Sequence, residues 1–450
     1  MTMHKAILEH FMKEPISFHV PGHHYQTIGN LKALDLKYDI TEISGMDDYH
    51  HAESIIKESE LLLNKIGYQS RFLVNGTTVG LLAVIMSFIK STSIPSIAIM
   101  RNAHKSIYNG VSLGKGSAYI LPSNLSQMTQ EYSGVNLNDI DESLLPHINL
   151  AVLTYPNYYG ETYDIKKVID YFHNHNIPVL IDEAHGAHFD ITDRFPVSTL
   201  KYGADFVVQS YHKTLPTFTM SSVIHMNNLI DEEILYRVNS YLSKLQSSSP
   251  SYMLMLGLEY ANIFYQTYDD DFFFERRANL IEAFNQKFKV IEVADPLKIM
   301  LSHDCYKGSE IAELLESLGI YTELSNEKFV LCVLPLWHEG DRYLFDNLME
   351  RIKNIKLNYH PFISEANTDI LYNQTDGIYI SQETNHVIYL PLDESVGHIN
   401  AEHITPYPPG IPFILAGEEI TVQHIAHIQK FIHTGGHVHG IEDLKIRVIG

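Results

Sequence analysis

Cysteine is almost missing from this chain of 450 residues: only Cys305 and Cys332 occur, each in or beside an apolar run. They read as reduced core residues, which points to a cytosolic, cytoplasmic compartment rather than a disulfide framework. Positive charge is in short supply too. Lys and Arg number 32 against 54 Asp and Glu, a formal net charge of −22. That balance argues against nucleic acid and anionic membranes as partners, since their phosphates need a basic face. It suits a small cationic ligand, which such a field gathers. No apolar run is long enough to cross a bilayer, and the longest, residues 79–89, reads as a core helix. The opening MTMHKAILEHFMKEP lacks the apolar centre of a secretory signal. Internal repeats and low-complexity segments are absent. The paired His23 and His24 have no Cys or carboxylate beside them at ligand spacing, and in HTGGHVHG at 433–440 Gly435-Gly436 reads as a helix C-cap with a strand after it, so no metal is expected.

What the chain does have is the composition of a globular enzyme, 45% hydrophobic and 19% charged, at a length that allows two or three domains. Its organising stretch is residues 205–222, DFVVQSYHKTLPTFTMSS. The run Phe206-Val207-Val208 predicts a buried strand that delivers Lys213 to the rim of a sheet. A desolvated amine is pushed towards its neutral form and can act as a nucleophile. The plainer alternative is a loop lysine that ends a strand. Upstream, the apolar residues 179–181 run into Asp182, followed by Ala184 and His185. In open α/β sheets ligands lie outside the carboxyl ends of the strands, so these two strands place a carboxylate and an amine at one rim. Pyridoxal 5′-phosphate needs that pair. The lysine holds the aldehyde, and the carboxylate keeps the pyridine nitrogen protonated.

Other segments fit the same plan. A strand at 71–74 is followed by Asn75-Gly76-Thr77-Thr78 and an apolar helix. A glycine turn feeding a helix N-terminus makes a phosphate cup, although an ordinary helix cap has the same residues. A strand at 97–100 delivers RNAHKS, which includes His104 and the rival lysine Lys105. Strand–helix alternation over 71–226 predicts a mostly parallel sheet with helices on both faces. From about 285 the texture changes to short strands (290–300, 320–324, 329–334) and a helix at 309–318. The expected division is an N-terminal arm at 1–45, a large cofactor-binding domain at 46–280, and a small α+β domain at 281–450.

SYHKTLPTFTMSSVIHM, together with VLIDEAHGAHF, FHVPGHH, LVNGTTVG, RNAHKS, SSSPSY and PYPPGIP, resembles the bacterial-type Orn/Lys/Arg decarboxylases, in the same order and along nearly the whole chain. The resemblance implies fold type I of the pyridoxal-phosphate-dependent transferases, with a mostly parallel seven-stranded sheet in the large domain and a small C-terminal α+β domain. It implies decarboxylation of arginine, lysine or ornithine in polyamine-related metabolism. Lys213 would carry the cofactor, Asp182 its ring nitrogen, and His104 would stack on the ring. Ala184 and His185 would line the opposite face, while Gly76, Thr77, Thr78, Ser210 and His212 would hold the phosphate. Ser248 would reach the phosphate of the partner subunit, giving a homodimer with shared sites. Glu402, or Glu394, would meet the far end of the cationic substrate. The family's N-terminal wing domain is not expected here. Two departures stand out: the turn after Pro21-Gly22 continues His24-Tyr25-Gln26 where the family has Lys-Gly-Gly, and His398 stands where Arg is common. Competing readings are another reaction on the same fold, aminotransfer or aldol cleavage, and a catalytically silent relative that binds a ligand or partner. Against aminotransfer, Arg342 and Arg351 read as lying on a solvated helix and Arg447 near the end, with no carboxylate clamp among them.

Overall fold

The computed structural model describes residues 2–89, 94–357, 377–380, 386–407, 410–433 and 436–450. Pro408 and Pro409 of the PYPPGIP bend and Gly435 of the expected helix cap lie outside these residues. The main sheet has β1 (Tyr68–Leu73), β2 (Ile97–Met100), β3 (Ser117–Leu121), β4 (Leu150–Thr154), β5 (Val179–Asp182), β6 (Phe206–Gln209), β7 (Ser222–Asn227) and β8 (Ile378–Ile380). Their spatial order is β8-β3-β2-β4-β5-β6-β7-β1. The five central strands are parallel, while β7 runs antiparallel to both neighbours and β8 antiparallel to β3. The sheet therefore has eight strands rather than the expected seven. The extra one is a three-residue edge strand far along the chain, too short to carry a periodicity.

Alternation within the strands builds two apolar layers, since successive side chains point to opposite faces. Ile97, Ile99, Leu180 and Val208 pack on one side with the helix Thr77–Phe88. Ala98, Met100, Ile181 and Val207 pack on the other with the helix Ile165–Asn174. That second helix starts where the Asp164 carboxylate accepts from Lys167 N, and it buries Ile165, Val168, Ile169 and Phe172, one stripe at helical spacing. Both faces being covered explains why β5 and β6 are continuous apolar runs. Register sets Asp182 opposite Thr154 on one side and Val208 on the other. The Asp182 carboxylate and the turn bearing Lys213 thus emerge at adjacent strand ends.

A four-stranded antiparallel sheet follows, from Lys289–Glu292, Lys298–Ser302, Val330–Val333 and Leu324–Ser325. The expected strand at 290–300 is two strands, because Asp295-Pro296 turns the chain and proline offers no ladder donor. Cys332 is buried there, but Cys305 is only partly buried, in the turn before the helix Gly308–Ser317. The arm is stitched to this region by a parallel pairing of Ile16–Phe18 with Ile320–Thr322. Arg351 donates to the carbonyls of Leu318, Gly319 and Glu14, and Arg342 to that of Gln26 at 2.6 Å. The solvated helix expected to carry both arginines is corrected accordingly: Arg342 precedes the helix Phe345–Lys353, and both guanidinium groups clasp backbone carbonyls. The last segment packs Ile404, Ile414, Ile420, Ile446 and Val448 around its own small core. Arg101 at the end of β2 ties it to the main sheet, donating to Pro412 O at 2.8 Å and Phe413 O at 2.9 Å.

Candidate active site

Lys213 sits in a single helical turn, Tyr211–Thr214, directly after β6. Its Nζ lies 2.9 Å from His185 Nε2. Burial pushes the amine below its ordinary range, opposed by Asp182 and then Glu323. Asp182, buried at the end of β5, accepts from Ala184 N at 3.2 Å. Burial raises its pKa and the Lys213 charge lowers it. His185 is held well below the usual imidazole range, first by burial and then by Lys213 and Lys298, so its ring is neutral. Its Nδ1 is buried and unpartnered among the described residues, and the edge of Tyr158 packs on the ring with centroids 4.6 Å apart.

His104 caps the helix Lys105–Leu113, its Nδ1 accepting from Ser106 N at 3.2 Å and lying 2.8 Å from Ser106 Oγ. Burial, then Lys213 and Lys105, push its pKa down to about 3, so this ring too is neutral. Its Nε2 edge faces Gly410, where a Cβ would come within 2.9 Å. Lys105 points away, its Nζ 5.6 Å from the centre of the Tyr407 ring.

A polar cup adjoins the lysine turn. Gly76 takes φ +78° just before the helix at Thr77, a conformation glycine adopts without strain. A Cβ there would meet nothing within 4 Å. The helix has no acidic residue in its first turn, and Gly76 supplies no side-chain cap, so its N-terminal amides face outwards. Ser210 Oγ donates to Thr77 Oγ1 at 3.2 Å, joining the β6 end to this cup, while Thr78 is exposed beside it. His212 donates from Nδ1 to Ser221 O at 3.0 Å, and burial lowers its pKa to about 4. The run at 247–250 hangs beside the same turn, with Ser247 N donating to Asn75 Oδ1 at 3.1 Å and Ser248 exposed.

The arm forms another wall. Gly22 N donates to His212 O at 2.8 Å, and a Cβ on Gly22 would stand 2.6 Å from the Thr214 backbone, so only glycine allows this approach. His24, Tyr25 and Gln26 all take left-handed φ values of 41°, 58° and 62°. These are the positions where glycines would have been unstrained. Side-chain bonds hold them instead: Tyr25 Oη lies 2.8 Å from both His10 Nε2 and His19 Nε2, and Gln26 N donates to His23 Nδ1 at 2.9 Å. His24 is buried against Ser17.

Residues from the small sheet, unrecognised in the sequence, complete the surroundings. Glu323 accepts from Val20 N at 2.9 Å through Oε2 and from the Tyr158 hydroxyl through Oε1. Lys298 is fully buried and donates to Tyr158 O at 2.7 Å. Asp295 accepts from His188 Nε2 at 2.9 Å, both side chains fully buried. The available signal was a lone charge within an apolar run, as in IYTEL and LKIML. Glu402, by contrast, lies 3.4 Å from Arg447, and Glu394 sits on an exposed turn. No contact within one chain joins either to Lys213, His185 or His104 among the described residues.

Comparison with known proteins gives matches along most of the chain. The family model for the Orn/Lys/Arg decarboxylase major domain matches residues 2–307, and that for the C-terminal domain of the same family matches 356–442. Among curated relatives, the uncharacterized protein YaaO of Bacillus subtilis (strain 168) is 36% identical, over 99% of this chain and 96% of its own length. An arginine decarboxylase of the same organism is 28% identical, over 99% and 96%. Among solved structures, lysine decarboxylase A from Pseudomonas aeruginosa superposes with TM-score 0.70 at 16% identity, covering 99% of this chain and 80% of that one. The Francisella novicida lysine decarboxylase LdcF gives 0.71 at 19%, covering 90% and 73%. The fold is that of the type I pyridoxal-phosphate enzymes. No helix among the described residues is long and apolar enough to cross a membrane.

Proposed function

The chain belongs to the Orn/Lys/Arg decarboxylase family, and from that premise we propose that it binds pyridoxal 5′-phosphate and removes the α-carboxylate of arginine, lysine or ornithine. The observation that carries this reading is the pairing at one sheet rim of the buried Asp182 with the half-buried Lys213, with two neutral imidazoles, His104 and His185, beside them.

The residues fit the cofactor. Asp182 receives one protein hydrogen bond among the described residues, which leaves acceptor capacity for a ring N–H. The Gly76–Thr77 cup offers helix amides and hydroxyls to a phosphate, joined by Ser210, His212 and Thr78. When bound, the cofactor supplies an electron sink for the pair left at Cα as CO₂ departs. Lys213 Nζ, whose hold on its proton burial weakens, would be the amine that holds the cofactor's aldehyde and that stands placed to carry a proton at the site. His185 orients it through the Nε2 contact. His104 and Ala184 supply flat and small surfaces for a planar ring and keep water from it.

For the cationic end of the substrate, the best-supported partner is Glu323, whose carboxylate is braced by Val20 and Tyr158 and whose charge acts on Lys213. Glu402 and Glu394 would serve only from another subunit. Aminotransfer is disfavoured because Arg342 and Arg351 are spent on carbonyls and Arg447 on Glu402. The exposed Ser248 beside Asn75 supports a two-fold homodimer with shared sites, and the buried free Cys332 supports a cytoplasmic setting. The deciding experiment is an assay of the cofactor-loaded protein on arginine, lysine and ornithine, following CO₂ and amine together. Amine formation without CO₂, or turnover of none of the three, would overturn the reading.

A further inference from the structure

We propose that Lys298 is a positioning residue for substrate selection: its buried amine holds the turn at 157–160 so that Tyr158 braces Glu323 and packs on His185. The proposal rests on the reading of Glu323 as the partner of the substrate's cationic end.

A lysine with no exposed surface is costly unless its amine is satisfied. Here the hydrogen bond goes to a main-chain oxygen, Tyr158 O at 2.7 Å. No carboxylate lies within ion-pair distance of Lys298 among the described residues. Asp295 is close enough to favour the charged amine without bonding it: its Oδ1 accepts from His188 and from Leu297 N, the latter at 3.0 Å, and its Oδ2 has no hydrogen-bond partner among the described residues. The stem of Lys298 does further work. Gly160 takes φ +86°, and a Cβ there would fall 2.9 Å from Lys298 Cδ and 3.0 Å from Asp295 Cβ. Asp295 N also donates to Gly160 O at 3.0 Å. The turn is therefore gripped by the amine at Tyr158 and by the stem at Gly160.

Tyr158 is where the grip reaches the site. Its hydroxyl donates to Glu323 Oε1, and its ring edge meets His185, which contacts Lys213. Freed from Lys298, the turn could shift without unfolding the sheet, and Tyr158 would lose both alignments. Among the described residues, Glu323 would keep only Val20 N as a fixed donor. An apolar residue in a fully buried slot is often as stable as a charged one, so stability alone does not require an amine here.

The test uses the cofactor-loaded protein titrated by calorimetry with 1,4-diaminobutane, 1,5-diaminopentane and 4-aminobutylguanidine, the amines that the three candidate substrates would give. For the tightest of these, K298M and Y158F are each expected to weaken binding at least fivefold. Cofactor retention should stay as in the unaltered protein. In the Y158F background, K298M should add less than twofold, because it acts through Tyr158. G160A is the second variant, which displaces the turn with Lys298 intact, and it should give the same selective loss; it decides the matter if K298M does not fold. Unchanged affinity in a folded K298M or G160A protein, with E323Q weakened, would overturn the Lys298 proposal alone, as would independent multiplication of the K298M and Y158F effects. Unchanged affinity in E323Q, or no binding of any amine by the unaltered protein, would remove the Glu323 reading and this proposal with it.

Discussion

The Lys213 amine stands 2.9 Å from the Nε2 of His185, so its side-chain hydrogen bond goes to a neutral imidazole rather than to a carboxylate. An amine paired with an acid would be locked as a cation. One paired with an imidazole in a buried pocket gives up its proton more easily, which is the state a nucleophile needs.

Borohydride treatment of the cofactor-loaded protein is accordingly expected to fix the cofactor on Lys213. Peptide mapping checks this, and an adduct on Lys105 would refute the assignment. Lys213→Ala should lower turnover by roughly three orders of magnitude or more while still holding cofactor through its phosphate.

Three acids compete for the cationic end of the substrate. Glu323→Gln should raise KM by about tenfold or more, the scale of a charge-assisted hydrogen bond of about 1.5–3 kcal/mol. Absorbance of the bound cofactor should barely change. If Glu402→Gln or Glu394→Gln raised KM instead, the selecting carboxylate would come from those turns and so from another subunit.

Ser248→Ala should weaken cofactor retention by about 1 kcal/mol if its hydroxyl makes one phosphate hydrogen bond. Equilibrium dialysis measures this, and sedimentation checks the assembly. Full activity in a monomer under dilute conditions would rule out shared sites.

Stability of the cofactor-free protein should depend on Lys298 in a defined pH window. Burial lowers its pKa from the ordinary 10.5 to about 8, so between these values the folded state binds fewer protons than the unfolded chain. Unfolding free energy should then rise with pH from about 8 towards 10 on this account. Lys65, lowered to about 8 by burial, and Lys213, also lowered by burial, add to the same slope. Chemical denaturation at pH 7, 8 and 9 measures it, and Lys298→Met should make it shallower. An unchanged slope in that variant would show that Lys298 is not a proton-linked group.

The parallel sheet was legible because its strands are uniform apolar runs ending in polar residues, and the same endings announced Asp182 and Lys213. The eighth strand was not, since Ile378–Ile380 is recognisable only by its pairing with β3. A strand over 290–300 looked continuous because its apolar residues outweigh Asp295-Pro296, whose turn is what separates Lys298 from the strand before it. Glu323 and Lys298 escaped notice for a shared reason. A single charge in a short strand reads as solvated, and only the packing of Tyr158 between distant segments reveals that both face inwards. The arginines at 342 and 351 misled in the opposite way, looking free while serving carbonyls of the arm.

The arm touches the site through main-chain donors, Val20 N on Glu323 and Gly22 N on His212 O. Amide hydrogens are blind to side-chain identity, so position 20 can drift through most amino acids without altering the hold on Glu323. Proline is the exception, having no hydrogen to give. Anyone seeking to retune substrate choice would therefore gain little by randomising Val20. Adding or deleting one residue between the paired strand Ile16–Phe18 and Gly22 would instead move both donors at once, making the length of that segment, more than its spelling, the adjustable parameter of the site.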